Sequence, residues 1–438
     1  MTENKYQNLE LPQSQNPRIV IIGGGFAGLA LAKKLRDLPF QVVLLDRHNY
    51  HTFQPLLYQV ATGGLEPDSI AFPLRKIFKG YKNLFFRLAS FKKVNPKDKT
   101  IDTDLGSLSY DHLVLALGSK TNFFGDKNII AHSSPMKTVP QALDLRSLIL
   151  QNLEEANLAS SVKGQENLIN FVVVGGGPTG VETAGALGEL KKHILPNDYP
   201  ELDIRKMKVY LIEGSPRLLN GMSEQAGKKA CKFLEQLDVK VWLNTGVKTY
   251  DGKTLELNDT KSIGASTVIW AAGVMGHDID GLPNEVIARG NRIKVDDFNK
   301  VHGLEDIYVL GDLAFMQTPL NPHGHPMVAP VAIQQAKNLG DNFKKQLKNN
   351  KLKPFKYFSQ GSMATVGRNR AVVDAPGFRF QGVFAWFVWM FVHLLSLAGF
   401  RNKMVVFVNW VWNYFSYDRG ARLIIRPYKR KTENDKEI

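Results

Sequence analysis

A chain of 438 residues is too long for one small core, so two or three domains are expected, and its 44% hydrophobic content is that of a folded globular protein. One cysteine, Cys231, excludes structural disulfides within the chain and any chemistry that runs through a cysteine pair, and suits a reducing compartment. The net charge of +15 points to an anionic partner.

The opening residues, MTENKYQNLELPQSQNP, are polar and lack an apolar signal core, so export is not expected. The stretch RIVIIGGGFAGLALAKKLRDLPFQVVLLD follows, from Arg18 to Asp46. It reads as a buried strand at Ile19 to Ile22, a glycine turn, a helix with apolar positions at Leu29, Leu31 and Leu35, and a second strand ending in an acid. Gly23 permits the tight turn, Gly25 lets the backbone close on a pyrophosphate, and Gly28 lets helix and strand pack closely. The pyrophosphate rests on the helix N-terminus, where free amides and the dipole both favour negative charge, and Asp46 is placed for ribose hydroxyls.

The next segment, HTFQPLLYQVATGGLEP, shows no clean helical or strand period. Its bulky apolar residues and few amides beside a dinucleotide site suit a flat aromatic ring, and they equally suit plain packing under the first helix; His51 reads as a hydrogen-bonded structural residue. Short strands are expected around Leu84 to Phe91 and Thr100 to Thr103. LSYDHLVLALGS then gives a buried strand at Leu113 to Leu117, with Ala116 and Gly118 small enough for close backbone approach to a ligand. Val139 to Glu155 reads as a helix and Val162 to Asn167 as a polar connection.

A second copy of the first unit follows. NFVVVGGGPTGVETAGALGEL supplies a strand, then Gly175, Gly177 and Gly180, then a helix, and MKVYLIEG supplies the returning strand ending in Glu213. The insertion KKHILPNDYPELDIRK makes Glu213 a weaker ribose candidate than Asp46. Two dinucleotide folds imply two dinucleotides. Glu182, early in the second helix, either satisfies the helix dipole or holds a nicotinamide amide. Cys231, in AGKKACKFLEQL, reads as a small buried filler, and TVIWAAGV, Thr267 to Val274, as the closing strand of its domain.

LEDIYVLGDLAFM runs a strand into Gly311 and Asp312, a carboxylate that needs partners such as the hydroxyls of a sugar alcohol. A helix starting near Pro330 carries Gln334, Gln335 and Ala336, and this order makes the first domain discontinuous. The last segment differs in kind. VFAWFVWMFVHLLSLAGF and MVVFVNWVWNYFSY are rich in aromatics, the first barely long enough to span a bilayer and the second too short. Arg401, Lys403, Arg419, Arg422, Arg426, Lys429, Arg430 and Lys431 crowd beside them, which favours helices lying at a lipid interface over a nucleic-acid groove.

These motifs together resemble the type II NADH dehydrogenases, the non-pumping NADH:quinone oxidoreductases, over about Arg18 to Ile425. The most specific of them are HTFQPLLYQVATG and APVAIQQA, alongside IWAAGV, IYVLGD and GFRNKMVVFVNWVWNYFSYDRGARLI. The resemblance implies an α/β fold of two Rossmann-like dinucleotide-binding domains, like glutathione reductase, plus a C-terminal amphipathic helical segment for membrane docking. The expected limits are 1–125 with 290–360 for one FAD bound non-covalently, 126–289 for NADH, and 361–438 for the membrane. It assigns FAD to Gly23, Gly25, Phe26, Ala27, Gly28, Asp46, Arg47, Gln54, Ala116, Gly118, Gly311, Asp312 and Ala332. NADH goes to Gly175, Gly177, Pro178, Thr179, Gly180, Glu182, Glu213, Ala272 and Gly273. Glu182, Gln334 and Gln335 are the catalytic candidates, the two glutamines toward the quinone, although Pro330 stands where many members carry another glutamine and offers no side-chain amide. NADH is preferred over NADPH because Glu213 repels a 2′-phosphate, an effect that nearby Arg217 could blunt.

The implied partners are NADH, a menaquinone or ubiquinone, an anionic membrane surface on the cytoplasmic side and a second copy of the chain, with no nucleic acid. The rival readings are a soluble FAD-dependent NADH oxidase or ferredoxin-type reductase, against which the basic aromatic tail argues, and an NADH-binding flavoprotein sensor without turnover.

Overall fold

In a computed structural model, residues 7–417 and 419–429 are described. They form two compact units. One contains Phe72–Lys120, Val274–Ser359 and the residues up to His51; the other contains Thr52–Ala71, Thr121–Gly273 and the residues from Gln360 onward.

The first unit is built on the strand Arg18–Ile22, whose branched side chains are buried on both faces of a parallel sheet. The strand order is Ile307–Val309, His112–Leu115, Arg18–Ile22, Gln41–Asp46, Leu84–Leu88, and every neighbouring pair is parallel. Alternation sorts the side chains. Ile19, Ile21, Val42 and Leu44 pack with the helices Phe26–Lys34 and Ala329–Gln346, while Val20, Ile22, Val43 and Leu45 pack with a core that includes Val94, Ile101 and Leu108. Those last three sit on the antiparallel strands Phe91–Asn95, Thr100–Thr103 and Gly106–Ser109.

The second unit repeats the plan. Its parallel sheet runs Ser134–Pro135, Thr267–Trp270, Asn170–Val174, Lys208–Ile212, Val239–Trp242, and the helix Pro178–Glu189 follows its central strand. The same unit carries the antiparallel strands Ser362–Thr365, Ala371–Ala375 and Phe378–Gln381, then the helices Val383–Ser396 and Phe400–Ser416.

Several expectations change. The aromatic segment after His51 is helical, with a 3-10 turn Gln54–Leu56 leading into Leu57–Ala61; it escapes a periodic reading because Leu56, Leu57, Tyr58, Val60 and Ala61 are all buried. Val162–Ile169 is a helix rather than a polar connection, capped by the Ser161 hydroxyl, which accepts from Gly164 N–H at 3.1 Å. The insertion after the second nucleotide helix extends it by a π turn, Leu190–Ile194. Cys231 is half-exposed beside Glu235 rather than a core filler, and burial together with that carboxylate pushes its thiol up to about 11. By packing, Thr52–Ala71 already belongs to the second unit, and its middle part runs Thr121–Gly273, where the expected limits were 126 and 289; Ile279 joins the core of the first unit.

The turns that start both nucleotide helices are dictated by one contact. A Cβ on Gly28 would strike the carbonyl oxygen of Gly23, and a Cβ on Gly180 would strike that of Gly175, so the helix reaches its strand only with hydrogen at both positions. Gly25 differs, since a side chain there meets nothing within 4 Å. Gly28→Ala is expected to lower stability by about 3 kcal/mol or more and Gly25→Ala by under about 1, checked by thermal melting of the two variants; equal losses would mean that the helix–strand contact is not the constraint.

Candidate functional site

Each glycine turn is locked by the acid that ends the neighbouring strand. Asp46 Oδ2 accepts from Gly24 N–H at 2.6 Å and its other oxygen accepts from His48 N–H at 2.7 Å. Glu213 does the same in the second unit, with Oε2 on Gly176 N–H at 2.5 Å and Oε1 on Ser215 N–H at 2.7 Å. The insertion therefore leaves Glu213 in the position that Asp46 occupies. Arg217, the residue that could blunt its charge, is turned to Asn220, donating to the side-chain oxygen at 3.1 Å. His51, buried, donates through Nδ1 to the Gly24 carbonyl at 3.0 Å, and burial holds its ring below the usual imidazole range.

Both turns leave their second glycine bare. Nothing lies within 4 Å of the space a side chain would take at Gly25 or at Gly177, while the first and last glycines of each motif are packed shut. A dinucleotide pyrophosphate fits this cradle, with the N-termini of Phe26–Lys34 and Pro178–Glu189 behind it. Of the other residues in the nucleotide stretches, Ala27 is buried inside its helix, Phe26 packs edge-on to His51 with ring centroids 5.2 Å apart, and Arg47 and Gln54 are exposed. Pro178 and Thr179 open the second helix, and Thr179 gives its carbonyl to the Thr183 hydroxyl at 2.6 Å.

In the first unit, Asp312 lies in the turn Gly311–Leu313 with Oδ2 accepting from the Ser119 hydroxyl at 2.6 Å. Buried Arg292 lies in its field. Gly311 is left-handed, φ +71°, and a Cβ there would press on that of Ala332. Its N–H donates to Gln335 Oε1 at 2.7 Å. Gln335 is fully buried, and Gln334 spends both ends of its amide on Phe358, accepting from its N–H at 3.0 Å and donating to its carbonyl at 2.9 Å. Of the glutamines expected to face a quinone, Gln334 is engaged with backbone at both ends, while Gln335 uses its oxygen on Gly311 and leaves its buried Nε2 without a partner. Ala116 is buried and Gly118 is left-handed, φ +71°, with open space around it. In the second unit, the Asn122 N–H donates to the Gly273 carbonyl at 3.0 Å, next to Ala272.

Glu182 is 7% exposed on the helix Pro178–Glu189, and burial pushes its carboxyl up to about 8 against only one backbone donor, Thr365 N–H at 3.4 Å. Within the same unit lies an aromatic cleft of about 110 Å³. Tyr58, Gln59, Thr365, Arg368, Trp386, Trp389 and Trp410 are among its walls, and Thr365 and Trp389 also face Glu182. Sequence reasoning missed this cleft. The available signal was the spacing of Trp386, Trp389 and His393, which puts the residues with polar handles on one face of an otherwise apolar helix.

That helix has two faces. Ala385, Trp386 and Trp389 are buried, whereas Phe384 is 70% and Phe391 62% exposed. In Phe400–Ser416 two polar groups turn inward: Asn402 donates to the carbonyls of Asp68, at 2.8 Å, and Ser69, and Trp410 Nε1 donates to Gln59 Oε1 at 2.8 Å. Phe407, Trp412 and Phe415 stay exposed. No helix among the described residues is long and apolar enough to cross a membrane. Of the basic tail, Arg430 and Lys431 lie outside the described residues, Arg419 pairs with Glu189 at 2.7 Å and Arg422 with Asp198 at 2.7 Å.

Residues 17–336 match the pyridine nucleotide-disulphide oxidoreductase family, and residues 359–417 match the NDH2 C-terminal domain. The chain is 35% identical over 424 residues to the type II NADH:quinone oxidoreductase NdhA of Mycobacterium tuberculosis, covering 93% of this chain and 89% of that one. The protein belongs to the type II NADH:quinone oxidoreductases. Its fold is also that of NDH2 from Plasmodium falciparum, solved in complex with NADH, with a TM-score of 0.86 at 21% identity over 94% of this chain and 100% of the other. The sulfide:quinone oxidoreductase of Aquifex aeolicus shares the fold at a TM-score of 0.71 and 21% identity, over 91% of this chain and 95% of that one. This family member has a single cysteine and so lacks the pair for disulfide chemistry.

The buried acid makes stability depend on pH. Below about 4.5 Glu182 is protonated whether the chain is folded or not; between there and about 8 only the folded chain keeps the proton, so stability falls as pH rises and the full penalty is present above that window. Glu182→Gln is expected to stabilise the protein by a few kcal/mol at about pH 9 and by much less at about pH 5. Urea melts at the two pH values check this, and an equal effect at both would remove the buried-acid assignment.

Proposed function

We propose that the protein oxidises NADH and reduces a membrane quinone, docked on the cytoplasmic face of an anionic bilayer without pumping protons. Family membership carries the overall activity; the repeat of one glycine–carboxylate turn in both units carries the assignment of two dinucleotides. FAD, when bound, supplies the two-electron carrier that accepts hydride from NADH and returns the electrons to the quinone.

The chain's own residues bind and orient. The cradle at Gly23, Gly25 and Gly28 holds the FAD pyrophosphate on the helix that begins at Phe26 and Ala27, and the free lone pairs of Asp46 take ribose hydroxyls. Asp312 holds the sugar-alcohol chain, and Gln335 acts one step back by fixing the Gly311 turn against Ala332. Arg47, Ala116 and Gly118 complete this site in the same reading. The cradle at Gly175, Gly177 and Gly180, with Pro178 and Thr179, holds NADH; Glu213 takes its ribose and disfavours a 2′-phosphate, and Ala272 and Gly273 lie along the nicotinamide.

The overall reaction, NADH + H⁺ + quinone giving NAD⁺ + quinol, consumes protons. Glu182, largely neutral at pH 7 and facing the aromatic cleft through Thr365 and Trp389, is placed to deliver one. The cleft's tryptophan and tyrosine walls suit a flat quinone ring, so we assign quinone entry there and give Gln334 the task of anchoring the Phe358 backbone. A second copy of the chain is included in the reading on the family resemblance alone.

Purified full-length protein carrying its flavin is expected to oxidise NADH steadily on addition of a short-chain quinone. A colourless preparation that cannot take up flavin, or oxidation indifferent to quinone, would overturn the activity. Docking is tested separately. Phe384→Glu with Phe391→Glu puts charge on the two exposed rings and is expected to lower co-sedimentation with anionic phospholipid vesicles at least about tenfold, with the short-chain quinone rate retained. Unchanged co-sedimentation would move the docking surface elsewhere.

A further inference from the structure

The loop that follows the second nucleotide strand carries an acid and a cation close together, Glu213 and Arg217. An acid at this place repels a 2′-phosphate on the dinucleotide and an arginine nearby accommodates it, so the choice of substrate depends on which of the two the loop presents. Glu213 is fixed in place. Its Oε2 accepts from Gly176 N–H at 2.5 Å, and its Oε1 accepts from the Ser215 N–H at 2.7 Å and from the Ser215 hydroxyl at 2.6 Å.

Arg217 is held elsewhere. Its Nε donates to Asn220 Oδ1 at 3.1 Å and its Nη2 donates to the Asn220 carbonyl at 3.0 Å, a two-pronged grip that sets the plane of the guanidinium. Asn220 uses the other end of its amide toward the acid, donating through Nδ2 to the Ser215 hydroxyl oxygen at 2.6 Å. One side-chain amide thus joins the cation to the hydroxyl that holds the acid, and keeps the two charges apart. Among the described residues, Arg217 closes no ion pair with Glu213.

The backbone beneath this arrangement is seated firmly. Leu218 and Leu219 are each 1% exposed, and Leu218 covers Gly176, where a Cβ would lie 2.7 Å from its Cδ2. The Leu219 N–H donates to the Gly176 carbonyl at 2.8 Å, and Leu219 itself is left-handed, φ +53°, which turns Asn220 back toward Ser215. The half-exposed Arg217 side chain is therefore the part of the loop that a lost contact would free. Glu224, at the start of the helix Glu224–Glu235, lies in the field of Arg217 and pairs with Lys228 at 2.7 Å.

We propose that Asn220 is a specificity-determining residue, whose clamp on Arg217 withholds the guanidinium from the 2′ position so that the loop presents Glu213 alone and selects NADH over NADPH. The proposal rests on the reading of the second glycine cradle as the NADH site and adds a residue that touches neither the nucleotide nor the flavin. Discrimination of this kind is a difference between two affinities, and it is raised as much by withholding a contact from the wrong substrate as by supplying one to the right substrate. The grip on Arg217 is made of solvent-exposed hydrogen bonds, so releasing it weakens the preference without reversing it.

The test uses the flavin-loaded full chain and the variants Asn220→Ala, Arg217→Ala and the two combined. Titration calorimetry with NAD⁺ and NADP⁺, which differ only in the 2′-phosphate, gives the ratio of affinities, and quinone-dependent oxidation of NADH and NADPH gives the ratio of kcat/KM. In Asn220→Ala both ratios are expected to move toward the phosphorylated nucleotide by about three- to tenfold, the gain from one exposed arginine–phosphate contact, and the gain should shrink as salt is added. Arg217→Ala alone is expected to change the ratios by less than about twofold, because the clamped guanidinium makes no contact at the 2′ position, and the combined variant should return to the wild-type ratio. Asn220→Leu, which keeps the branched shape without the amide, should repeat the gain and covers the case in which the alanine variant is unstable. Unchanged ratios in both Asn220 variants overturn the proposal, as does a gain that survives the removal of Arg217, which would come from a relaxed Glu213 instead. Glu213→Gln separates the two levels of the argument. If it raises the NADP⁺ ratio while the Asn220 variants do not, the clamp fails and the NADH site stands; if it leaves both affinities untouched, the site reading fails and the proposal with it.

Discussion

The contact between a helix and the strand before it, closed so tightly that neither Gly28 nor Gly180 can carry a side chain, is the constraint on which both nucleotide sites depend. Bringing the helix that near exposes the amides of its first turn at the end of the central strand, and bends the chain so that the second glycine of the motif, Gly25 or Gly177, looks into open space. The acid of the next strand then ties the turn down through Gly24 or Gly176. The same geometry appears in two units built from different sequences, because the steric demand is on the backbone and leaves the remaining side chains free to differ.

The C-terminal helices solve a different problem, that of an apolar element which must fold onto a protein and still present an apolar face. Their polar groups are turned inward: Asn402 is 3% exposed and satisfied by backbone carbonyls, Trp410 is bonded to Gln59, and Asn413 donates to the Gly64 carbonyl at 3.3 Å. Burial of a polar group costs free energy unless it is paired, so each of these bonds also specifies the seat of its helix on the unit. The outward phenylalanines are then left exposed. The charges between Glu189, Arg368 and Arg419 line the cleft and give it one polar edge against tryptophan walls.

Electrostatics separates the carboxylates by environment. Asp46 and Glu213 accept hydrogen bonds from backbone N–H groups, while Glu182 sits in an apolar interior that favours the proton. Carboxylates that lock turns and a buried acid are thus distinguished by their surroundings. The oxygen of Gln335 holds the Gly311 N–H and so fixes the turn that carries Asp312.

Much of this was legible in the residues alone. Short β-branched runs ending at glycine, the spacing of Gly23, Gly25 and Gly28 and its repetition at Gly175, Gly177 and Gly180, and the terminal acids Asp46 and Glu213 determine two parallel-sheet nucleotide units, because strand burial and the helix–strand contact are local requirements that few residue types meet. The paired apolar runs near the C-terminus likewise announce helices with a lipid-like face. Tertiary structure alone decided which way polar side chains turn. The helix at Leu57–Ala61 hides its period because several sides are buried, and the side-chain oxygens of Gln334 and Gln335 accept from the Phe358 and Gly311 N–H groups. Such pairings are set by which buried donor finds which buried acceptor after the chain has packed, and no local pattern carries that information.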